Sequence, residues 1–224
     1  MDESALPLPG RCTGIVAQKK KKNRVSLFIE DTFLDGFYRD VIDKSGINTG
    51  DIVTGEQYRK IVRAERIYHI SNQIYRWLAV RNHSSSEIIK KCLAKGYTKE
   101  EAQDALNPII EKGYLDDALF AKSYASDKKE LHGWGPAKIR MSLAQKGLKK
   151  QYIDDALEDL FTDQQLIESM EAATRSVAKR LLRTVPGLKR KKKLVDFLIR
   201  RGFPGYIVIE KCDALLTKLE NEEL

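Results

Sequence analysis

The chain has 224 residues, of which 42% are hydrophobic and 32% are charged, so it can build a core while exposing much polar surface. Its formal net charge of +8 favours an acidic partner, such as nucleic acid, an acidic protein face or an anionic membrane. Cys12, Cys92 and Cys212 are too far apart for a disulfide framework or a cysteine-based zinc site, which fits a reducing cytoplasm.

The first residues, 1–10, are predicted to form a flexible lead. They contain neither the basic nor the apolar region of a secretory signal. No later run approaches the roughly 20 apolar residues that a membrane-spanning helix needs. The sequence therefore predicts a cytoplasmic protein that does not enter the membrane.

Residues 11–63 are predicted to form a small unit that contains a β-hairpin. Two segments rich in β-branched residues, 13–18 and 24–29, flank a polar turn. A third strand at 33–37 and a short helix at 39–44 follow. The charged tip of the hairpin either contacts a partner or only keeps the sheet edge soluble. Its basic residues are Lys19, Lys20, Lys21, Lys22 and Arg24.

A long amphipathic helix is predicted next, over 55–81, with a break near Arg63. Thr54 and Gln57 have the spacing of a capping box, in which each side chain bonds the backbone of the other residue. The apolar stripe of the helix recurs at steps of three and four residues. It consists of Ile67, Ile70, Ile74 and Leu78.

The rest of the chain repeats one pattern around Gly96, Gly147 and Gly202. In all three copies, apolar residues stand 8 and 4 positions before the glycine and 1, 6 and 10 positions after it. The first two offsets share one face of a helix, and the glycine is expected to end that helix in a left-handed conformation. The last two offsets form the inward face of the next helix. The pattern therefore predicts a helix, a glycine stop and a second helix in every copy.

A longer helix precedes each copy, at 117–131 before the second and at 163–183 before the third. The unit is therefore three helices, used three times, and such units stack around a shared core. We predict an all-α fold in an elongated, curved body, preceded by the small β-hairpin unit. The predicted helical repeats are 64–115, 116–161 and 162–224.

Two short motifs carry a family resemblance. The first reads GYLDDALFA and the second GWGPAKIRMSLAQKG, and both lie within the repeats. With three tandem three-helix repeats around them, they resemble the RecX family of bacterial recombination regulators. The third repeat matches the pattern least well, because Pro204 and Gly205 follow its glycine. The motif residues are Gly113, Tyr114, Leu115, Asp116, Asp117, Phe120, Gly133, Gly135, Pro136, Ile139, Leu143 and Gly147.

The resemblance implies a function. Members of this family bind the RecA recombinase, lie in the helical groove of the RecA–DNA filament, and restrain its growth, ATP hydrolysis and strand exchange. Many also bind DNA directly. By this resemblance we expect a monomer that binds the RecA filament and contacts single- and double-stranded DNA without sequence specificity.

The placement of charge is a separate clue. Between Ala173 and Gly205, Asp196 is the sole acid, and the net charge there is +10, against −2 for the rest of the chain. This block favours contact with phosphates or an acidic protein face, although a solvated helix face is the plainer interpretation. Its basic residues are Arg175, Lys179, Arg180, Arg183, Lys189, Arg190, Lys191, Lys192, Lys193, Arg200 and Arg201.

The second motif contributes three further candidate contacts, Trp134, Lys138 and Arg140. Trp134 lies in a glycine turn, where we expect it to be exposed, and aromatic anchors are common in interfaces. By contrast, the spacing of Phe120 and Tyr124 is more typical of core residues.

No enzymatic constellation is visible. The three histidines have no metal-ligand spacing, and no GxxxxGK[ST] loop for ATP is present. Asp116 and Asp117 point different ways at a helix start, so capping is expected rather than paired acid–base chemistry. We therefore predict no catalysis, no metal and no cofactor.

A sequence-specific DNA-binding regulator is the alternative class. Three-helix units with a short glycine turn can resemble a helix-turn-helix, which would predict site-specific and dimeric binding. Inhibition of RecA-driven ATP hydrolysis would favour the first function, and selective duplex binding would favour the second.

Overall fold

The computed structural model describes residues 7–221 and is mostly helical after a small N-terminal antiparallel sheet. The described residues form two compact units, one of residues 7–80 with 91–112 and the other of residues 81–90 with 113–221. Part of the predicted lead, residues 1–6, lies outside the described residues, and Gly10 already belongs to the first strand. A membrane-spanning helix is absent from the described residues.

The sheet of the first unit has the strand order β3-β2-β1-β4. Its strands are β1 Gly10–Ala17, β2 Arg24–Ile29, β3 Thr32–Tyr38 and β4 Ile52–Val53. Strands β1 and β2 form an antiparallel hairpin in which Ala17 pairs with Val25. Val25, Leu27 and Ile29 are buried on one side of β2, as the period of two in a strand requires. The predicted hairpin and third strand are confirmed.

Two helices pack with this sheet, and local signals set their ends. They are α1 Arg39–Ser45 and α2 Gly55–Leu78. Gly46 follows α1 in the left-handed conformation, with φ of 72°. Thr54 and Gln57 form the predicted capping box at the start of α2. The predicted break near Arg63 is wrong, because buried Ile61, Ile70 and Ile74 keep one uninterrupted face of α2 against the core.

The remaining helices follow the predicted order of the repeats. They are α3 Ser85–Ala94, α4 Lys99–Glu111, α5 Asp117–His132, α6 Pro136–Gln145, α7 Lys150–Glu158, α8 Asp163–Ser176, α9 Ala178–Leu182, α10 Leu188–Arg201 and α11 Gly205–Glu220. The predicted single helix over 163–183 is wrong, since Val177 leaves the helical conformation at φ −118° and ψ 9°. Just before it, the Thr174 and Ser176 hydroxyls donate to the carbonyls of Met170 and Ala173. Such bonds from a side chain to the helix backbone bend helices.

The three anchor glycines make the same turn. Gly96, Gly147 and Gly202 have φ of 84°, 77° and 91°. The N–H of the residue after each glycine donates to the carbonyl five positions earlier, at N–O distances of 3.2, 3.3 and 3.1 Å. This is the Schellman pattern of a helix end. Of the apolar positions that define the repeat, every one is buried except Tyr97, which is half-buried.

In the second unit, the ends of the glycine-stopped helices meet. The N–H of Gly135, before α6, donates to the carbonyl of Arg201 at the end of α10, at 2.7 Å. The Oγ of Ser84, before α3, donates to the carbonyl of Lys146 after α6, at 2.8 Å. The contact at Gly202 is so close that a Cβ there would lie 2.4 Å from the backbone nitrogen of Lys138. These carbonyls are therefore satisfied by the neighbouring repeat.

Candidate functional site

Helix α10 separates its charged residues from its apolar ones. Leu194, Phe197 and Leu198 are buried in the core that α10 shares with α8 and α11. Lys189 and Lys192 lie on the other side of the helix and are exposed. The helical period of 3.6 residues produces this separation, because positions three or four apart return to the same face.

Two open cavities lie on this exposed side of α10. Both are lined by residues of α10 and of the preceding segment, 180–185. One has a volume of about 520 Å³ and the other about 310 Å³. Both cavities are lined by Lys193 and Asp196, so they form one continuous surface. We call it the cationic surface and define it by Arg180, Arg183, Lys189, Lys192, Lys193 and Arg200.

The charges of the cationic surface are not neutralised by the part of the chain that the structure describes. None of its six side chains forms an ion pair with a carboxylate in residues 7–221. Lys193 Nζ donates to Thr184 Oγ1 at 3.1 Å, and Arg180 lies 5.7 Å above the Phe197 ring. Asp196 is the one acid that lines the two cavities. The surface therefore has an excess of positive charge, which attracts anions.

Arg190 is not part of this surface, which corrects the prediction that it contacts a partner. Arg190 is only 6% exposed. The guanidinium donates to the carbonyls of Leu182 and Thr184 and forms an ion pair with Glu220. These carbonyls lie at and just after the end of α9, where the helix cannot satisfy them. Arg190 therefore fixes the turn between α9 and α10.

Four other basic residues of the predicted block lie outside the cationic surface. Lys191 pairs with Asp213 at 2.7 Å, and this hydrogen bond raises the pKa of Lys191. Arg201 donates to the carbonyl of His132. Both side chains are thus engaged within the second unit. The other two, Arg175 and Lys179, are exposed but line neither cavity.

The candidates around the second motif are engaged in packing. Trp134 is half-buried against the core of α5–α7, with Lys138 Nζ 4.5 Å from its ring centre. The expectation that Trp134 is exposed is therefore wrong, because a lysine and the helices cover much of it. Arg140 forms an ion pair with Asp154.

Most other motif residues stabilise helices and turns, as predicted. Gly113 is left-handed, with φ of 73°. Asp116 accepts hydrogen bonds from the N–H groups of Ala118 and Leu119 and so caps α5. Pro136 takes the first position of α6. The buried members are Leu115, Phe120, Gly135, Ile139 and Leu143.

The hairpin tip belongs to the first unit and divides into two groups. Lys19, Lys20, Lys21 and Lys22 are exposed. Arg24 instead pairs with Glu65 at 2.9 Å and lies 4.8 Å from the centre of the Tyr38 ring. Arg24 is thus a link between the sheet and α2, which corrects its prediction as a contact residue.

Sequence reasoning missed an apolar edge beside the cationic surface. Val185 and Leu188, on either side of the turn between α9 and α10, are 67% and 85% exposed. The signal was present, since Val185-Pro186-Gly187-Leu188 is an apolar turn between two basic segments. Exposed apolar groups beside charges are typical of binding surfaces.

Metal and thiol chemistry have no support in residues 7–221. No group of three His, Cys, Asp or Glu side chains there is placed to hold a metal ion. Burial raises the pKa of the Cys12, Cys92 and Cys212 thiols. Protonated, buried thiols are poor nucleophiles, so these cysteines serve as small core residues.

The fold and this surface define a protein of three-helix modules with an N-terminal antiparallel sheet and a cationic surface. The family model of the regulatory protein RecX N-terminal domain matches residues 10–54. The model of the second three-helix domain of RecX matches residues 116–157. In both segments the chain is similar to RecX regulatory proteins.

Relatives named regulatory protein RecX align over most of the chain. The protein of Clostridium perfringens strain 13 is 24% identical over 214 residues, which are 96% of this chain and 98% of the relative. That of Clostridium botulinum strain Alaska E43 is 26% identical over 200 residues, 89% of this chain and 93% of the relative. That of Halalkalibacterium halodurans is 26% identical, covering 94% of this chain and 80% of the relative.

Two solved structures share the fold. A crystal structure of regulatory protein RecX has a TM-score of 0.78 at 23% identity, covering 92% of this chain and 99% of that chain. The crystal structure of RecX from Lactobacillus salivarius has a TM-score of 0.60 at 22% identity, covering 70% of this chain and 98% of that one.

Proposed function

We propose that this protein binds the RecA recombinase filament and inhibits its growth, ATP hydrolysis and strand exchange. In this proposal it acts as a monomer in the cytoplasm and catalyses no reaction itself. Similarity to RecX regulatory proteins supports the choice of partner, and the direction of the effect follows from the same family resemblance. The cationic surface supplies an electrostatic contact with the DNA of the filament.

The observation that carries the DNA contact is the row of unpaired cations on α10. Lys189, Lys192, Lys193 and Arg200 lie along one side of the helix, and each turn of a helix rises about 5.4 Å. The row therefore extends roughly 16 Å, which is long enough to meet several phosphates of one strand. Cations that neutralise phosphates release counterions, and this gain is independent of base sequence.

The proposal predicts inhibition of RecA-driven ATP hydrolysis on single-stranded DNA by substoichiometric amounts of the protein. A variant with Lys189→Glu, Lys192→Glu and Lys193→Glu should lose most of this inhibition, because each substitution replaces attraction to phosphate with repulsion. We expect a decrease of at least about tenfold in apparent affinity, since each charge contact contributes a kcal/mol or so. Steady-state ATPase titrations with both proteins measure it.

A matched control carries the same change in charge elsewhere. Lys90, Lys95 and Lys99 are exposed and form no ion pair within residues 7–221, so their triple replacement by glutamate should leave inhibition intact. Equal losses in both variants would mean that net charge matters and the cationic surface does not. Absence of any effect on RecA, together with selective binding of one duplex sequence, would favour the alternative of a sequence-specific DNA regulator.

A further inference from the structure

The first unit contains an apolar groove that none of the features above uses. It has a volume of about 570 Å³ and lies against α1, α2 and α4. Its longest wall is one stripe of α2, from Gln57 to Tyr75, in steps of three or four residues. From the first to the last of these residues there are 18 helical steps, which extend about 27 Å, or five turns. The stripe consists of Gln57, Lys60, Ile61, Ala64, Ile67, Tyr68, Ser71 and Tyr75.

Two hydroxyl groups in these walls already have partners within the first unit. Ser71 Oγ donates to the carbonyl of Ile67 at 3.1 Å, and the Tyr68 hydroxyl donates to Asp40 Oδ2 at 2.8 Å. The other walls add Val41 and Ile109, among further apolar side chains. A bound molecule would therefore contact a mainly apolar surface and form few hydrogen bonds with it.

The charged residues that line the groove are all basic. Lys44 comes from the last turn of α1, Lys60 from α2, and Lys112 follows the end of α4. Lys60 is paired with Glu56, while Lys44 and Lys112 form no ion pair within residues 7–221. Among residues 7–221, no acidic side chain lines the groove. An occupant that complements this surface needs an apolar stripe with acidic groups beside it.

We infer that this groove binds an amphipathic helix of a partner protein whose apolar stripe is flanked by acidic residues. Side chains at helical spacing on the occupant would enter between those of α2, which have the same spacing. The lysines come from three separate elements. This arrangement favours an occupant with several acidic groups over a fatty acid, which has one anionic head. The inference is independent of RecA and of DNA.

The test uses the full chain with isoleucine δ1-methyl groups labelled with ¹³C and an 18-residue synthetic peptide. The peptide has leucines on one helical face and glutamates beside them. Titration should shift the NMR signals of Ile47, Ile61, Ile67 and Ile109, which line the groove, and leave those of Ile139 unchanged. A peptide with lysines in place of the glutamates should bind at least about tenfold more weakly, because two or three exposed ion pairs are lost.

Variants of the protein check both parts of the inference. Lys44→Glu with Lys112→Glu should reverse the preference between the two peptides. Ala64→Trp should fill the groove and lower affinity for the acidic peptide at least about tenfold. Val62→Trp, on the same helix but outside the groove, should not. Circular dichroism melting checks that these exposed substitutions leave the fold intact.

Three results would overturn the inference. One is that neither peptide shifts the groove signals. Another is that both peptides bind equally well to the unaltered protein and to the charge-reversed variant. The third is that laurate shifts the four signals while the peptides do not, since the groove would then be a site for a small amphiphile.

Discussion

Neighbouring basic residues on α10 have different roles, although their chemistry is nearly the same. Lys189 and Lys192 are exposed on the cationic surface, while Arg190 is buried against the end of α9. Lys191, one position further, pairs with Asp213 of α11. Successive helix positions differ by about 100° in direction, so each of these residues meets a different environment. A run of basic residues is therefore not a single functional unit.

At the scale of one residue, Glu87 makes stability depend on pH. Burial raises its pKa, but hydrogen bonds from Lys146, Arg81 and the Ser84 N–H outweigh this and lower it to about 2. The usual value is 4.5, so ionised Glu87 stabilises the folded chain above that pH. This stabilisation is lost as the pH falls from 4.5 towards 2.

Glu87→Gln should lower the free energy of unfolding at pH 7 by about 3 kcal/mol, because the pKa is lowered from 4.5 to about 2 and each pKa unit corresponds to 1.36 kcal/mol. The difference from the unaltered protein should decrease as the pH falls from 4.5 towards 2. Urea unfolding at pH 7, 5 and 3 measures it. Glu158→Gln, at an exposed site, should change stability by less than about 0.5 kcal/mol. A difference for Glu87→Gln that does not vary with pH would contradict this account.

At the scale of elements, the end of α10 and the start of α6 are so close that a side chain is excluded at Gly135 and Gly202. The last carbonyls of α10 accept bonds from the backbone at the start of α6, and only glycine fits at that contact. A Cβ on Gly135 would come within 2.6 Å of the Gly202 carbonyl group. The helices meet with the negative end of one dipole at the positive end of the next, which is the favourable order.

Three glycine-to-alanine variants separate the cost of conformation from the cost of crowding. Gly96→Ala meets no atom within 4 Å and should lower the free energy of unfolding by about 1 kcal/mol, because its φ is 84°. Gly202→Ala adds the clash with Lys138 and should cost about 3 kcal/mol or more. Gly205→Ala, in open space with ordinary φ, should change stability by less than about 1 kcal/mol. Equal losses at Gly96 and Gly202 in urea unfolding would exclude a tight contact between α10 and α6.

At the scale of the whole molecule, charge is concentrated in one segment. Residues 173–205 carry a net +10, while the rest of the chain carries −2. If the cationic surface meets DNA, its lysines should determine how binding responds to salt. Each phosphate contact on a single strand contributes about −0.7 to the slope of log K against log salt concentration.

Replacing Lys189, Lys192 and Lys193 by alanine should therefore make that slope less steep by about 2. The slope is measured by fluorescence anisotropy of a labelled oligothymidine at salt concentrations from about 50 to about 200 mM, where affinity depends strongly on salt. Alanine at Lys90, Lys95 and Lys99 should leave it unchanged. An equal slope for both triple variants would remove the cationic surface from DNA binding.

Much of the fold could be predicted from the sequence because its signals are local. The capping box at Thr54 and the glycine stops depend on residues within a few positions of each other, and the structure confirms them. The repeat pattern around the three glycines likewise predicts buried positions, and all of them except half-buried Tyr97 are buried. The two motifs, at 113–121 and 133–147, indicated the family whose second three-helix domain model matches residues 116–157.

Only the tertiary structure decided which basic and aromatic residues are available to a partner. Arg190 forms an ion pair with Glu220, 30 positions away, and Arg24 forms one with Glu65, on another element. Trp134 is partly covered by packing against helices whose approach no local signal describes. A residue's type and spacing determine its secondary structure, but its burial depends on distant residues that the fold brings near. For that reason the sequence determined the helices and their repeat, and the tertiary contacts decided the composition of the cationic surface.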